Sequence, residues 1–281
     1  MSLRYCGCQP SRLSVIRQNG SFGTVGKSWK VSLREGVVPE GEPAYRHELS
    51  FVGASTIGQQ FYCEAKVENE YTLGEIPTES KEIGSGLHDE IFAMEKLERE
   101  DLIRHIERDP SLTASFGLQA KVGELRVAGI PDAVIFETGR PKWIIELKTT
   151  RGDPTRLWRD QVIQMRVYGL LLERMGFDCS TLTLALIRMK QAGALNPDEK
   201  SALLPLIRLA LLDQKTSALE AKHQMKFFLV PHVASEAENA IIWAQDYWLR
   251  RREAIPTTSE GKCRSCEFND VCAHSLFKPN G

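Results

Sequence analysis

Residues 124–150 read ELRVAGIPDAVIFETGRPKWIIELKTT. Two stretches rich in Val and Ile, ELRVAGIPDAVIFE and KWIIELKTT, flank TGRPK (Thr138 to Lys142), a turn signal. The pattern predicts two antiparallel neighbouring strands. In the second, Glu146 and Lys148 are two apart, so both side chains emerge on one face while Ile145 and Leu147 take the other. Asp132 follows Gly129-Ile130-Pro131 on the first strand. The sequence does not fix the register between the two strands, and a bulge or a one-residue shift is needed to make Asp132 converge with Glu146 and Lys148.

Downstream, a helix is predicted over about 155–175, with Val162, Met165, Leu172 and Met175 available for a core face. TLTLALIRM (181–189) and KFFLVPHV (226–233) read as strands around a helical insertion at about 197–222, and a last helix covers about 236–252. Upstream, Ser55 is the cap of a helix in STIGQQFYCEAKVENEY that holds Tyr62 and Cys63 in its middle. A longer helix is predicted over about 85–108, where Leu87, Ile91, Met94 and Leu97 recur at helical spacing, with Ser85 as its cap and His88 in its first turn. Residues 1–48 form a poorly patterned extension, and SFGTVGKS (Ser21 to Ser28) lacks the first Gly that a phosphate loop needs. Residues 49–281 read as one domain, with a cysteine-bearing region at about 253–275. Strands with helices on either side and no sustained βα repeat predict a mixed α/β (α+β) layer fold with a mixed central sheet flanked by helices.

The 281 residues suffice for a sizeable core, and 42% hydrophobic with 26% charged residues excludes disorder, collagen or coiled coil as a description of the whole. The apolar run LLPLIRLALL is broken by Pro205 and Arg208, too short to cross a membrane, and the first residues lack the apolar core of a secretory signal. The expected location is cytoplasmic, with no membrane partner. Thirty-six Lys+Arg against 37 Asp+Glu give a net charge of -1, which excludes a strongly basic whole domain. A nucleic-acid partner then requires a local patch. Lys148, Arg151, Arg156, Arg159 and Arg166, opposed nearby only by Asp153 and Asp160, supply one. Seven cysteines without an export signal point to metal binding or buried thiols rather than disulfides.

An isolated E-x-K is most simply an ion pair at a strand end. Two carboxylates beside a lysine also fit a hydrolytic site: they are hard oxygen ligands for magnesium or manganese, and the lysine positions or deprotonates a water. Gln164 and Tyr168 lie one helical turn apart on one face of the next helix. In GKCRSCEFNDVC, Cys263, Cys266 and Cys272 form C-x2-C-x5-C, three thiolates within one short loop, whose fourth ligand must come from elsewhere. Zinc and iron-sulfur clusters both accept four thiolates. Cys6 and Cys8 read as an incidental C-x-C and Cys179 as a buried thiol.

Taken in order, His88, GIPD ending at Asp132, ELK at Glu146 to Lys148, and Q-x-x-x-Y at Gln164 and Tyr168 resemble the motif set of the RecB-type branch of the PD-(D/E)XK nuclease superfamily. ASTIGQQFYCEAKVENEY and YWLRRREAIPTTSEGKCRSCEFNDVC resemble the two cysteine-bearing ends of its iron-sulfur members, the CRISPR-associated RecB-like exonucleases and the exonuclease V family. The resemblance covers about 51–272 and implies a restriction-endonuclease-like core closed by a four-cysteine cluster. It implies that His88, Asp132, Glu146 and the main-chain carbonyl of Leu147 bind Mg2+ or Mn2+. Asp132, Glu146 and Lys148 would be catalytic, with Lys148 activating water and Gln164 and Tyr168 supporting the site or the DNA backbone. Cys63, Cys263, Cys266 and Cys272 would hold a [4Fe-4S] cluster, with zinc as the alternative. The implied activity is a metal-dependent DNA nuclease, a 5′-to-3′ exonuclease on single-stranded DNA or DNA ends. Its setting would be CRISPR adaptation beside integrase partners, or DNA repair and recombination. The reading from another class is an iron-sulfur DNA-binding or scaffold subunit with little catalysis. Trp158, Tyr168 and Trp248 are available for base stacking.

Overall fold

The computed structural model describes residues 44–277 apart from 93, 95, 98 and 191–194. Cys6, Cys8 and SFGTVGKS lie outside the described residues. The strands are β1 (Val52–Gly53), β2 (Lys96–Leu97), β3 (Thr113–Phe116), β4 (Leu118–Val122), β5 (Leu125–Gly129), β6 (Ala133–Glu137), β7 (Arg140–Thr150), β8 (Thr183–Lys190) and β9 (Met225–Pro231). The helices are α1 (Ala54–Tyr62), α2 (Glu64–Leu73), α3 (Glu79–Ile91), α4 (Arg99–Arg108), α5 (Arg159–Arg174), α6 (Pro197–Leu212), α7 (Ser217–His223), α8 (Ala234–Trp248) and α9 (Glu260–Arg264).

A six-stranded mixed sheet runs in the order β2-β3-β6-β7-β8-β9, and a small sheet runs β1-β5-β4. β7 pairs antiparallel with β6 and parallel with β8. Alternation along the strands gives the large sheet two apolar faces. Val134, Phe136, Ile144, Leu184 and Leu186 pack with α1, α5 and α8 around Ile57, Val167 and Trp248. Ile135, Ile145, Leu147 and Ile187 pack on the other face against Ile91 of α3 and Leu203 and Ile207 of α6. The predicted mixed α/β layers, with helices on both sides, are therefore observed. Among the described residues no helix is long and apolar enough to cross a membrane.

Several boundaries differ from the sequence reading. The turn is tighter than TGRPK: Thr138 and Gly139 alone make it, both with positive φ (51° and 76°), and Pro141 and Lys142 belong to β7. ELRVAGIPDAVIFE is two strands in two sheets, because the chain leaves β5 at Gly129 and crosses to β6 after Asp132. The single helix expected over 85–108 is α3, then β2, then α4. Its apolar residues serve different faces, Leu87 and Ile91 packing on one side of the large sheet and Leu97 and Leu102 on the other, which one helical stripe does not permit. Thr78, not Ser85, caps α3, accepting the N–H of Lys81 at 3.3 Å. The insertion is two helices, α6 capped reciprocally by Asn196 and Glu199, and α7. Tyr45 and Leu49, on either side of the boundary drawn at residue 48, are buried in the same core.

Candidate active site

The turn and a bulge decide where the carboxylates stand. Next to the turn Phe136 pairs with Pro141, but beyond a register shift Ile135 pairs with Trp143 and Ala133 with Ile145, leaving Lys142 unmatched. Without this extra residue the turn-side register would set Asp132 opposite Ile145, and with it the register sets Asp132 opposite Glu146. Asp132, just before β6, thereby reaches the β7 end: its Oδ2 accepts the main-chain N–H of Leu147 at 2.7 Å. From α3, on the opposite face of the sheet, His88 closes the same corner, with Nδ1 3.1 Å from Asp132 Oδ1 and Nε2 2.5 Å from the Leu147 carbonyl oxygen. Gly84, one turn earlier on α3, lets the helix lie close to β7, since a Cβ there would be 3.1 Å from Thr149 Oγ1.

Glu146 points to the α5 face. Its Oε1 accepts from Lys148 Nζ and from Gln164 Nε2, each at 2.7 Å, and Gln164 Nε2 also donates to Tyr168 Oη at 2.9 Å. Glu146 Oε2 is buried with no hydrogen-bond partner among the described residues. Tyr168 is fixed by a close approach, because a Cβ on Gly129 would lie 2.7 Å from its ring. The predicted pair one turn apart on α5 is thus bonded directly to the E-x-K glutamate.

Electrostatics follow from burial and neighbours. Burial, and then the Asp132 charge, raise the Glu146 carboxyl above its ordinary range, against the pull of Lys148. Burial works to lower His88, but its hydrogen bond to Asp132 and the charges of Asp132 and Glu146 outweigh it and raise the imidazole to about 9. Burial likewise opposes the Lys148 charge, yet Glu146 and Asp132 hold it above its usual value. Burial and the Glu146 charge push the Tyr168 phenol well upward.

The basic stretch is partly neutralised from outside its own sequence: Arg151 pairs with Glu79 at 2.5 Å and Arg166 with Glu236. Arg156 lies 4.8 Å over Trp158 and Arg159 5.0 Å over Phe61. Tyr168 and Trp248 are core residues, so neither presents a ring for base stacking. Sequence reasoning passed over Arg188, the β8 ladder partner of Lys148, which is 4% exposed and donates from Nη1 to the Arg156 carbonyl. The only sequence signal was a charge inside the apolar run TLTLALIRM.

Cys63 is not in mid-helix. It sits at the break between α1 and α2 with extended backbone, and its sulfur accepts the N–H of Thr257 at 3.3 Å. Cys263, Cys266 and Cys272 come from α9 and the turns after it, and with Cys63 they line one small cavity. Burial raises the Cys266 thiol. The tail that brings them is docked by two acids. Glu64, fully buried, pairs with Arg252 and accepts the N–H of Ile255 at 2.8 Å. Glu267 pairs with Lys66 at 3.1 Å and with Lys81 of α3 at 2.9 Å. Neither constellation is a closed ligand group: among the described residues no three or more His, Cys, Asp or Glu side chains are arranged to hold a metal ion. At the acidic corner the donor atoms of His88, Asp132 and Leu147 are hydrogen-bonded to one another instead.

Comparison with known proteins adds the following. A family profile described as the PD-(D/E)XK nuclease superfamily matches residues 59–273. No curated protein matches the chain. Among solved structures, one titled "Crystal structure of SSO0001" aligns at 16% identity with a TM-score of 0.41, covering 81% of this chain and 88% of that one.

Proposed function

The chain belongs to the PD-(D/E)XK nuclease superfamily, and from that premise we propose that Asp132, Glu146 and Lys148 are the hydrolytic centre of a DNA nuclease acting on single strands or strand ends. Members of the superfamily are typically metal-dependent nucleases that use Mg2+ or Mn2+. The observation that carries the reading is Glu146 Oε2, a carboxylate oxygen buried without a partner beside a second acid and a lysine. A buried anionic oxygen left unpaired is costly, and a divalent cation offsets that cost.

The donor set fits such an ion: Glu146 Oε2, the Asp132 carboxylate, the His88 imidazole and the Leu147 carbonyl would hold it. When bound, Mg2+ or Mn2+ polarises a phosphate and lowers the pKa of a water. The chain supplies the rest. Lys148 Nζ, anchored to Glu146 Oε1, directs its other N–H groups at an attacking water and a phosphate oxygen. Gln164 locks the Glu146 rotamer, and Tyr168 locks Gln164.

Cys63, Cys263, Cys266 and Cys272 would hold the [4Fe-4S] cluster, zinc being the alternative. The support is their shared cavity and the main-chain N–H already directed at Cys63. The finer reading, a 5′-to-3′ exonuclease in CRISPR adaptation or in repair and recombination, is supported by the motif resemblance. The test is digestion of end-labelled single-stranded DNA by anaerobically purified protein with manganese or EDTA, beside Lys148→Ala. Manganese-dependent loss of label in the wild type alone is expected. No digestion by wild-type protein that binds DNA would move the reading to a scaffold subunit, and a visible absorption band separates iron-sulfur from zinc.

A further inference from the structure

On the far side of α5 from Gln164, a groove opens between α1, α5, α8 and the segment 255–262. Phe61 and Trp243 form its floor, with ring centroids 4.7 Å apart, and Trp243 is 38% exposed. Arg252, itself paired with Glu64, lies 4.8 Å from the Trp243 centroid and holds the indole in place. Three cations line the groove, Arg159, Arg166 and Lys262, against a single carboxylate, Glu236, which pairs with Arg166. Arg159 lies 5.0 Å from the Phe61 centroid and Lys262 4.7 Å from that of Tyr62, and Lys262 Nζ donates to the Tyr62 and Phe61 carbonyls at 2.8 and 3.4 Å.

One helix presents two faces, Gln164 to the Glu146 carboxylate and Arg159, Val162 and Arg166 to the groove. Half-exposed aromatic rings flanked by an excess of cations match an unpaired strand, which offers free base faces and phosphates together, whereas a duplex hides its base faces in its own stack.

We infer that this groove binds single-stranded DNA, with bases stacked on Phe61 and Trp243 and phosphates on Arg159 and Lys262. The inference rests on the nuclease reading for its choice of DNA, and its test does not depend on hydrolysis. In EDTA, a fluorescein-labelled 20-residue oligothymidylate is titrated with the full-length protein and followed by anisotropy. Trp243→Ala is expected to weaken binding by about tenfold, the scale of one lost base stack. Arg159→Glu is expected to weaken it as much and to flatten the salt dependence. Melting midpoints of both variants report folding, and Trp243→Phe, which keeps a ring, is expected to restore most of the affinity. Unchanged affinity in both well-folded variants overturns the inference, as does equally tight binding of a hairpin duplex. Failure of the nuclease reading shows separately, as absent manganese-dependent digestion by a wild type that still binds the oligonucleotide through Trp243.

Discussion

The N–H of Leu147 donates to Asp132 Oδ2 at 2.7 Å, so the strand that carries Glu146 also holds the second carboxylate in place. Replacing Asp132 by Ala removes that tie, a ligand and the partner of His88 together. Asp132→Ala and Lys148→Ala are each expected to lower manganese-dependent DNA hydrolysis by at least about a hundredfold, more than loss of an outer partner costs. Initial rates on labelled single strands measure this.

Gln164 reaches the site only through Glu146 Oε1. Gln164→Leu is expected to weaken manganese binding by roughly 10–100-fold, as for other supporting partners of a ligand. Tyr168→Phe, which leaves the Gln164–Glu146 bond, should cost less. Isothermal titration with manganese distinguishes the two.

Gly129 touches Tyr168 and Ala54 where a side chain would collide, at 2.7 and 3.0 Å. Gly129→Ala is expected to destabilise the fold by about 1–3 kcal/mol through overpacking. Urea midpoints at constant slope give the value.

His47 is stacked on Tyr71 with centroids 4.7 Å apart, and burial lowers its pKa. The unfolded chain therefore takes up the proton first, and stability present above about pH 6.5 is lost as pH falls through the folded value. Wild type should lose more stability than His47→Asn between pH 7.5 and 5.5. Asn suits the backbone there, where φ is 60°. Equal losses would contradict this.

Glu64 is buried and carries Arg252 and the N–H of Ile255. Glu64→Leu leaves Arg252 unpaired, and breaking a half-buried pair of this kind is expected to cost about 3–5 kcal/mol. The tail should loosen, and the cysteines lining the cavity should react faster with a thiol reagent.

The sequence made the chemistry more legible than the path of the chain. Glu146, Lys148, Gln164 and Tyr168 follow from periods of two and four within single elements, and the structure brings all four into contact. Asp132 needed a register, and the bulged Lys142 that sets it has no signature of its own. β3 and β4 were missed because TASF and LQAKV are short and carry Ser, Gln and Lys. Glu64, Arg188 and Glu267 were invisible as functional groups, since each depends on partners more than 30 positions away. The break at Cys63 was hidden for the same reason: the first N–H of α2, that of Glu64, goes to the Ile255 carbonyl.

That break has a consequence for how the protein is made. A chain is synthesised from its N-terminus, so Cys63 and Glu64 emerge about 200 residues ahead of Arg252, Ile255 and Cys263, a delay of roughly 10–40 s at ordinary translation rates. Through that interval the joint between α1 and α2 has a carboxylate without its cation and a thiol without its companions. The first-made helices are thus completed by the last-made segment, and a nascent chain halted just before residue 252 already holds every described strand yet has an open seam.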